Sequence, residues 1–177
     1  MGLFTRKKKT QEPVSEFHVI NQIATPLIPF GDNITNSDVV KICIDRVASH
    51  CSKLKMRYIK ETSDGIQTEK NGNISFLLKH RPNELMTPSQ FIYKIVSLCM
   101  LNDNAFVYPL YDKFTYKLKG IYPLKPILVE PAIDNIGGLF LNFYFEDGTK
   151  YMLPYENVIH LKRFYTGNDI FGGSNSN

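Results

Sequence analysis

The chain has 177 residues, 43% of them hydrophobic and 21% charged, which excludes wholesale disorder and supplies one ordinary core. Its 21 Lys and Arg against 17 Asp and Glu give a formal charge of +4, and Arg6, Lys7, Lys8 and Lys9 hold the whole surplus, leaving a balanced body. That balance excludes a domain whose entire surface tracks nucleic-acid phosphates, and no run of 18 apolar residues is present to form a membrane-spanning helix.

Residues 1–16 combine the basic run with Gln11, Glu12, Pro13 and Ser15, and read as a flexible arm. Met1-Gly2-Leu3-Phe4 leads into charge rather than an apolar signal core, so a cytoplasmic product is expected at synthesis, and Arg6 stands where myristoylation wants Ser or Thr. From Phe17 to Phe30, Pro26 and Pro29 favour an extended segment laid over another element.

A helix is predicted over Ser37 to Leu54, with Val40, Cys43, Ile44, Val47, Cys51 and Leu54 as its core stripe and Asn36 or Ser37 as cap. A hairpin should follow, from Lys55–Glu61 through Ser63-Asp64-Gly65 to Ile66–Lys70. Asn73 is a candidate cap for a short helix through Leu78 that stops before Pro82. Thr87-Pro88-Ser89-Gln90 has the form of a capping box with proline at the first helical position, so a second long helix should bury Phe91, Ile95 and Leu98 and break at Asn102-Asp103-Asn104.

The second half reads as sheet: Ala105–Tyr111, Gly120–Leu124, Ile127–Glu130, Leu139–Glu146, Thr149–Leu153 and Val158–Phe164. Asp147-Gly148 is a two-residue hairpin signal with both positions at positive φ, and Asp112–Lys119 is a second tip. Residues 167–177 are rich in Gly, Ser and Asn and read as a linker. The expected class is α+β, two main amphipathic helices packed with antiparallel hairpins and sheet, as an arm over 1–16, a domain over 17–166 and a linker over 167–177.

Chemistry is sparse. His18, His50, His80 and His160 share no ligand spacing, so no metal is expected, and no glycine pattern cradles a phosphate, so no cofactor is expected either. Cys43, Cys51 and Cys99 read as buried, reduced thiols. His160 sits in a strand-like run on the face opposite Ile159 and Leu161, where a hydrogen-bonded structural role outweighs that of a catalytic base. The aromatic residues Phe140, Phe143, Tyr144, Phe145 and Tyr151 lack accompanying cations and suit core and interface packing. The Arg6–Lys9 run is the candidate contact for phosphate or an acidic partner.

Several local patterns in fixed order resemble the portal, or connector, proteins of tailed bacteriophages. They are Met-Gly-Leu-Phe with a basic stretch; the helix and hairpin from Asp38; Leu77-Leu78 and Arg81-Pro82-Asn83-Glu84-Leu85-Met86-Thr87; Phe91; and Leu101-Asn102-Asp103-Asn104-Ala105-Phe106-Val107. They continue with Gly120-Ile121-Tyr122-Pro123-Leu124-Lys125-Pro126 and with Leu153-Pro154-Tyr155-Glu156-Asn157-Val158-Ile159-His160-Leu161-Lys162, followed by Phe164. Asp103 departs from the family, where glycine is common at that place.

The resemblance implies a wing-like portion of a subunit in a dodecamer-like ring at one capsid vertex of a virion assembled in a bacterial cytoplasm. The ring passes double-stranded DNA and attaches terminase, capsid or scaffold proteins and tail connectors, with no membrane partner and no catalysis of its own. Arg81, Pro82, Asn83, Met86, Thr87, Phe91, Asn104, His160 and Phe164 are the matching motif positions, with structural roles implied. Family members are longer, and their stem, clip and crown follow the last residue here, so this chain alone is expected to be monomeric or weakly associated. The alternatives are a stand-alone nucleic-acid-binding or protein-interaction module using the basic arm, and a hydrolase built on His160 with Glu156 or Tyr155.

Overall fold

The structure is a computed structural model that describes residues 37–63, 65–69, 72–164 and 169–173 and the backbone of 18–19 and 28–29. Two short strands, β1 (His18–Val19) and β2 (Ile28–Pro29), precede helix α1 (Asp38–Cys51). A hairpin, β3 (Ile59–Thr62) and β4 (Gly65–Thr68), leads to α2 (Asn73–Lys79) and α3 (Pro88–Asn102). Six strands complete it: β5 (Asn104–Tyr111), β6 (Leu118–Leu124), β7 (Leu128–Ile133), β8 (Leu139–Tyr144), β9 (Lys150–Pro154) and, after one 3-10 turn at Tyr155–Asn157, β10 (Ile159–Lys162). The architecture is α+β.

Among the described residues the strands form three antiparallel sheets. β1 and β2 both pair with β7, which continues through β8 to β9; β10, β5 and β6 form a second sheet; β3 and β4 pair alone. Pro29 thus lies in backbone laid in an extended form along a sheet, while Pro26 lies outside the described residues.

β5 explains the layering. Its first residues are buried without alternation because both faces are covered. Phe106 faces the larger sheet, where it meets Phe143 edge to face at 5.2 Å within a core that also holds Val129, Leu141, Val158 and Phe171. Val107 faces the other way, onto Phe91 of α3 and Ile121 of β6, with Met56, Leu78, Met86 and Ile95 around them. The three-stranded sheet is therefore a middle layer between helices and the larger sheet.

Local chemistry holds in part. The Thr87 hydroxyl accepts from the Gln90 amide, while the Gln90 side chain accepts from the Thr87 amide, closing the box with Pro88 at the first helical position. Asp103 ends α3 in the left-handed region at φ 52°, which accounts for glycine being common there in the resembled family. Elsewhere tertiary contacts override the expectation. Ser37 is the N-cap of α1 without a side-chain bond, and Gly72 rather than Asn73 caps α2, because the Asn73 amide instead donates to the Leu118 carbonyl at 2.6 Å.

The α1 stripe is narrower than its periodicity: Ile44 and Ala48 are buried, whereas Val47 and Leu54 are exposed and the helix stops at Cys51. Cys43 is exposed and Cys51 and Cys99 are half-buried, which corrects the reading of buried thiols. The β8–β9 connection has three residues rather than two. Phe145 and Thr149 close it, Gly148 alone of the pair has positive φ, at 79°, and the Asp147 carboxylate accepts from the Thr149 amide.

A buried polar node and the candidate assembly surfaces

Asn104, at the start of β5, is fully buried, so every polar atom on it needs a partner. Its Oδ1 accepts from the backbone N–H of Gly172 at 2.7 Å and lies 2.9 Å from His160 Nε2, while its Nδ2 donates to the carbonyls of Asn102 and Gly172. The Gly172 N–H fixes which end of the amide is oxygen, so His160 Nε2 must be the donor. His160 Nδ1 is then the acceptor of the Tyr155 hydroxyl at 3.1 Å.

The histidine ring also stacks on Phe106 at 4.2 Å. Burial, seconded by the nearby Lys162 charge, pushes its pKa down to about 3, so the ring is neutral, in agreement with the single-donor tautomer. As the alternation predicts, His160 lies on the face opposite Ile159 and Leu161; His160 points inward and those two neighbours are exposed. Both ring nitrogens are committed within the protein, the Tyr155 hydroxyl is a donor, and Glu156 is exposed on the 3-10 turn, so the hydrolase constellation is not assembled.

The node closes the end of the fold. Phe171 is fully buried against Phe106, although composition places it in a linker. A Cβ on Gly172 would fall on the carbonyl oxygens of Asp103 and Arg163, well inside contact distance, and the Gly173 N–H donates to the Phe164 carbonyl. Asp103 is buried beside Arg163, whose Nε lies 3.9 Å from its carboxylate, and burial pushes the carboxyl pKa up against the opposing pull of Arg163.

The Arg81–Thr87 motif is a second structural joint. The Asn83 amide donates to the Ile121 carbonyl at 2.8 Å, its oxygen accepts from the Leu85 amide, and the Ile121 N–H donates to the Pro82 carbonyl. Arg81 closes the turn by donating to the Glu84 carbonyl, and Met86 packs on the core around Phe91. This joint stitches the α2–α3 connection to β6. Phe164, exposed and at φ 50°, carries the Arg163 guanidinium 4.7 Å above its ring.

The outer surface is unusually apolar in places. Val39, Ile42 and Val47 face outward from α1, and the β5–β6 tip presents Phe114 and Tyr116 at 93% and 82% exposure. That tip is rigidly built: Asp112 Oδ1 accepts from the Phe114 and Thr115 amides, and its other oxygen pairs with Lys119 at 3.0 Å. The Thr115 amide and then Lys119 hold the Asp112 carboxyl far below the usual carboxylate range.

A cleft of about 770 Å³ opens between the end of α1 and the starts of the hairpin and α3; it is lined by Lys53, Lys55, Arg57 and Lys79 over Leu54, Met56, Leu78 and Pro88. Averaging the body charge to zero concealed it; the alternation Lys53-x-Lys55-x-Arg57 was the available signal. Arg6, Lys7, Lys8 and Lys9 lie outside the described residues. Among those residues no group of three or more His, Cys, Asp or Glu could hold a metal, and no helix is long and apolar enough to cross a membrane.

Comparison with known proteins gives a consistent picture. The family described as "Phage portal protein" matches over residues 38–176, and no curated protein matches. Among solved structures, a chain of the virion of a native gene transfer agent (GTA) particle aligns with TM-score 0.59 and 12% identity over 81% of this chain and 39% of that one. A chain from the neck of an empty GTA particle, computed with C6 symmetry, aligns with TM-score 0.56 and 10% identity, covering 76% and 36%. The neck of a native GTA particle, computed with C12 symmetry, gives 0.53 and 11%, covering 76% and 34%. At these identities the likeness is one of fold, and the chain spans less than two-fifths of the length of the chains it matches.

Proposed function

Because this chain belongs to the phage portal protein family, we propose that it is the wing portion of a portal subunit, a structural part of a ring at one capsid vertex. The observation that carries the reading is the family match over residues 38–176, nearly the whole described structure. The rigid joints at Asn83 and Asn104 and the apolar outer faces of α1 and the β5–β6 tip support a role in assembly, since such faces are buried when copies pack side by side.

In this reading the ring passes double-stranded DNA, and terminase, capsid and tail proteins attach to it; ATP hydrolysis belongs to terminase. The committed nitrogens of His160 leave the node a structural task. The test is electron microscopy of the protein expressed from its complete gene. A closed ring is expected, with this fold fitting density at the periphery. A monomeric product, or this fold lining the central channel, would refute the proposal.

A further inference from the structure

The cleft beside α2 combines features that point to one kind of ligand. Among the described residues, four cations, Lys53, Lys55, Arg57 and Lys79, line it with Ser52, Thr68 and Ser89, and no carboxylate does. All four are exposed and none takes part in an ion pair among the described residues. Pro88 and Ser89, the first residues of α3, also line it, so the positive end of that helix adds to the same field. Leu54, Met56, Leu78 and Pro88 supply apolar lining, and Met56 and Leu78 are the outer surface of the core around Phe91. The volume falls in the range of about 300–1,000 Å³ common for ligand clefts.

We propose that this cleft is a docking site for an acidic peptide segment of a partner protein, with apolar side chains on its floor and carboxylates on the Lys53, Lys55, Arg57 and Lys79 rim. Duplex DNA fits less well. It presents phosphates on a convex rod that cannot reach into a cleft, and it leaves the apolar lining unfilled. A peptide alternating acidic and apolar residues satisfies both surfaces, because successive side chains of an extended strand point to opposite sides. The site is independent of the portal reading and would survive its failure.

The test is a titration of the whole chain, followed by amide chemical shifts and fluorescence anisotropy, with a labelled seven-residue peptide alternating Glu or Asp with Leu or Phe. Three controls accompany it: Lys in place of the acids, Ser in place of the apolar residues, and a short duplex DNA. Saturable binding of the first peptide is expected, with shifts at Lys53, Arg57, Lys79 and Ser89 and loss of affinity in high salt. The double change Lys55→Glu and Arg57→Glu should weaken it about tenfold, and Leu54→Ser, at an exposed position, about threefold, with unchanged circular dichroism. Absence of binding, equal affinity for the double variant, or preference for the basic peptide or the duplex would each overturn the proposal.

Discussion

His160 Nε2 lies 2.9 Å from Asn104 Oδ1, joining the last strand to the first residue of β5 across 56 positions of sequence. Asn104 in turn binds Gly172, so one buried amide holds three separate segments. Burial favours the neutral imidazole, and His160 Nδ1 accepts from the Tyr155 hydroxyl only in that form, which sets a pH dependence. Burial first, then Lys162, lowers the pKa to about 3 from its ordinary 6.5. Above pH 6.5 the ring is neutral folded or unfolded and its contribution is fully present. As pH falls toward 3 the unfolded chain takes up a proton that the folded chain refuses, and stability is lost, on the order of 4 kcal/mol by the end. Urea midpoints should fall steadily between pH 6.5 and 4 in the native chain and less steeply in His160→Gln. Equal slopes would separate the acid response from this residue.

Gly172 and Phe171 form one unit. Any side chain at 172 collides with the Asp103 and Arg163 carbonyls, backbone atoms that cannot turn aside, so Gly172→Ala should displace the segment and with it the buried Phe171 ring. The expected loss is about 3 kcal/mol, similar to Phe171→Ala. Because either change undoes the same contact, the double variant should lose scarcely more than either single one. Full additivity in denaturant unfolding would show that the two act separately.

Asp103 carries two costs at once: a left-handed backbone at φ 52° and a buried carboxylate without a hydrogen bond to either oxygen. Asp103→Gly removes both, against the loss of a weak 3.9 Å pairing with Arg163. A gain of about 1 kcal/mol is expected at pH 7. Since burial raises the folded pKa above the ordinary 3.8, the native chain loses stability as pH rises through that range. The advantage of the variant should therefore be larger at pH 7 than at pH 4; thermal melts at both values decide it.

Local chemistry was legible where it is closed within a few residues. The Thr87–Gln90 box, the helix it starts and the stop at Asp103 all follow from neighbours in sequence. The hairpins were legible as hairpins, but the β8–β9 register was not, because Phe145 and Thr149 close a three-residue loop where Asp147-Gly148 reads as a two-residue turn. The α1 stripe was not, because periodicity states which residues share a face but not how wide a neighbour covers it, and here Ile44 and Ala48 alone are buried. The node was half legible: His160 reads as a hydrogen-bonded structural residue, yet its partner Asn104 lies 56 positions away, and Gly172, the partner of Asn104, lies 68 positions from that residue. Phe171 was hidden by composition, since Gly, Ser and Asn around one aromatic resemble a linker until Asn104 supplies the partner for Gly172.

The β5–β6 tip gives the assembly prediction. Tyr116 sits at φ 52° with its side chain 82% exposed, so the fold gains little from a tyrosine there and bears about 1 kcal/mol of backbone strain. Tyr116→Gly should raise the Tm of the isolated chain by roughly 2–4 °C, and Phe114→Ser should leave it unchanged. A residue that costs stability and buries nothing within its own chain is explained by contact with another. In the protein expressed from its complete gene, the paired change should lower the yield of closed rings, counted by electron microscopy, while subunit folding remains intact. Unaltered ring yield together with the raised Tm would show that the aromatic tip takes no part in assembly, leaving the outer face of α1, with Val39, Ile42 and Val47, to carry the contact between copies.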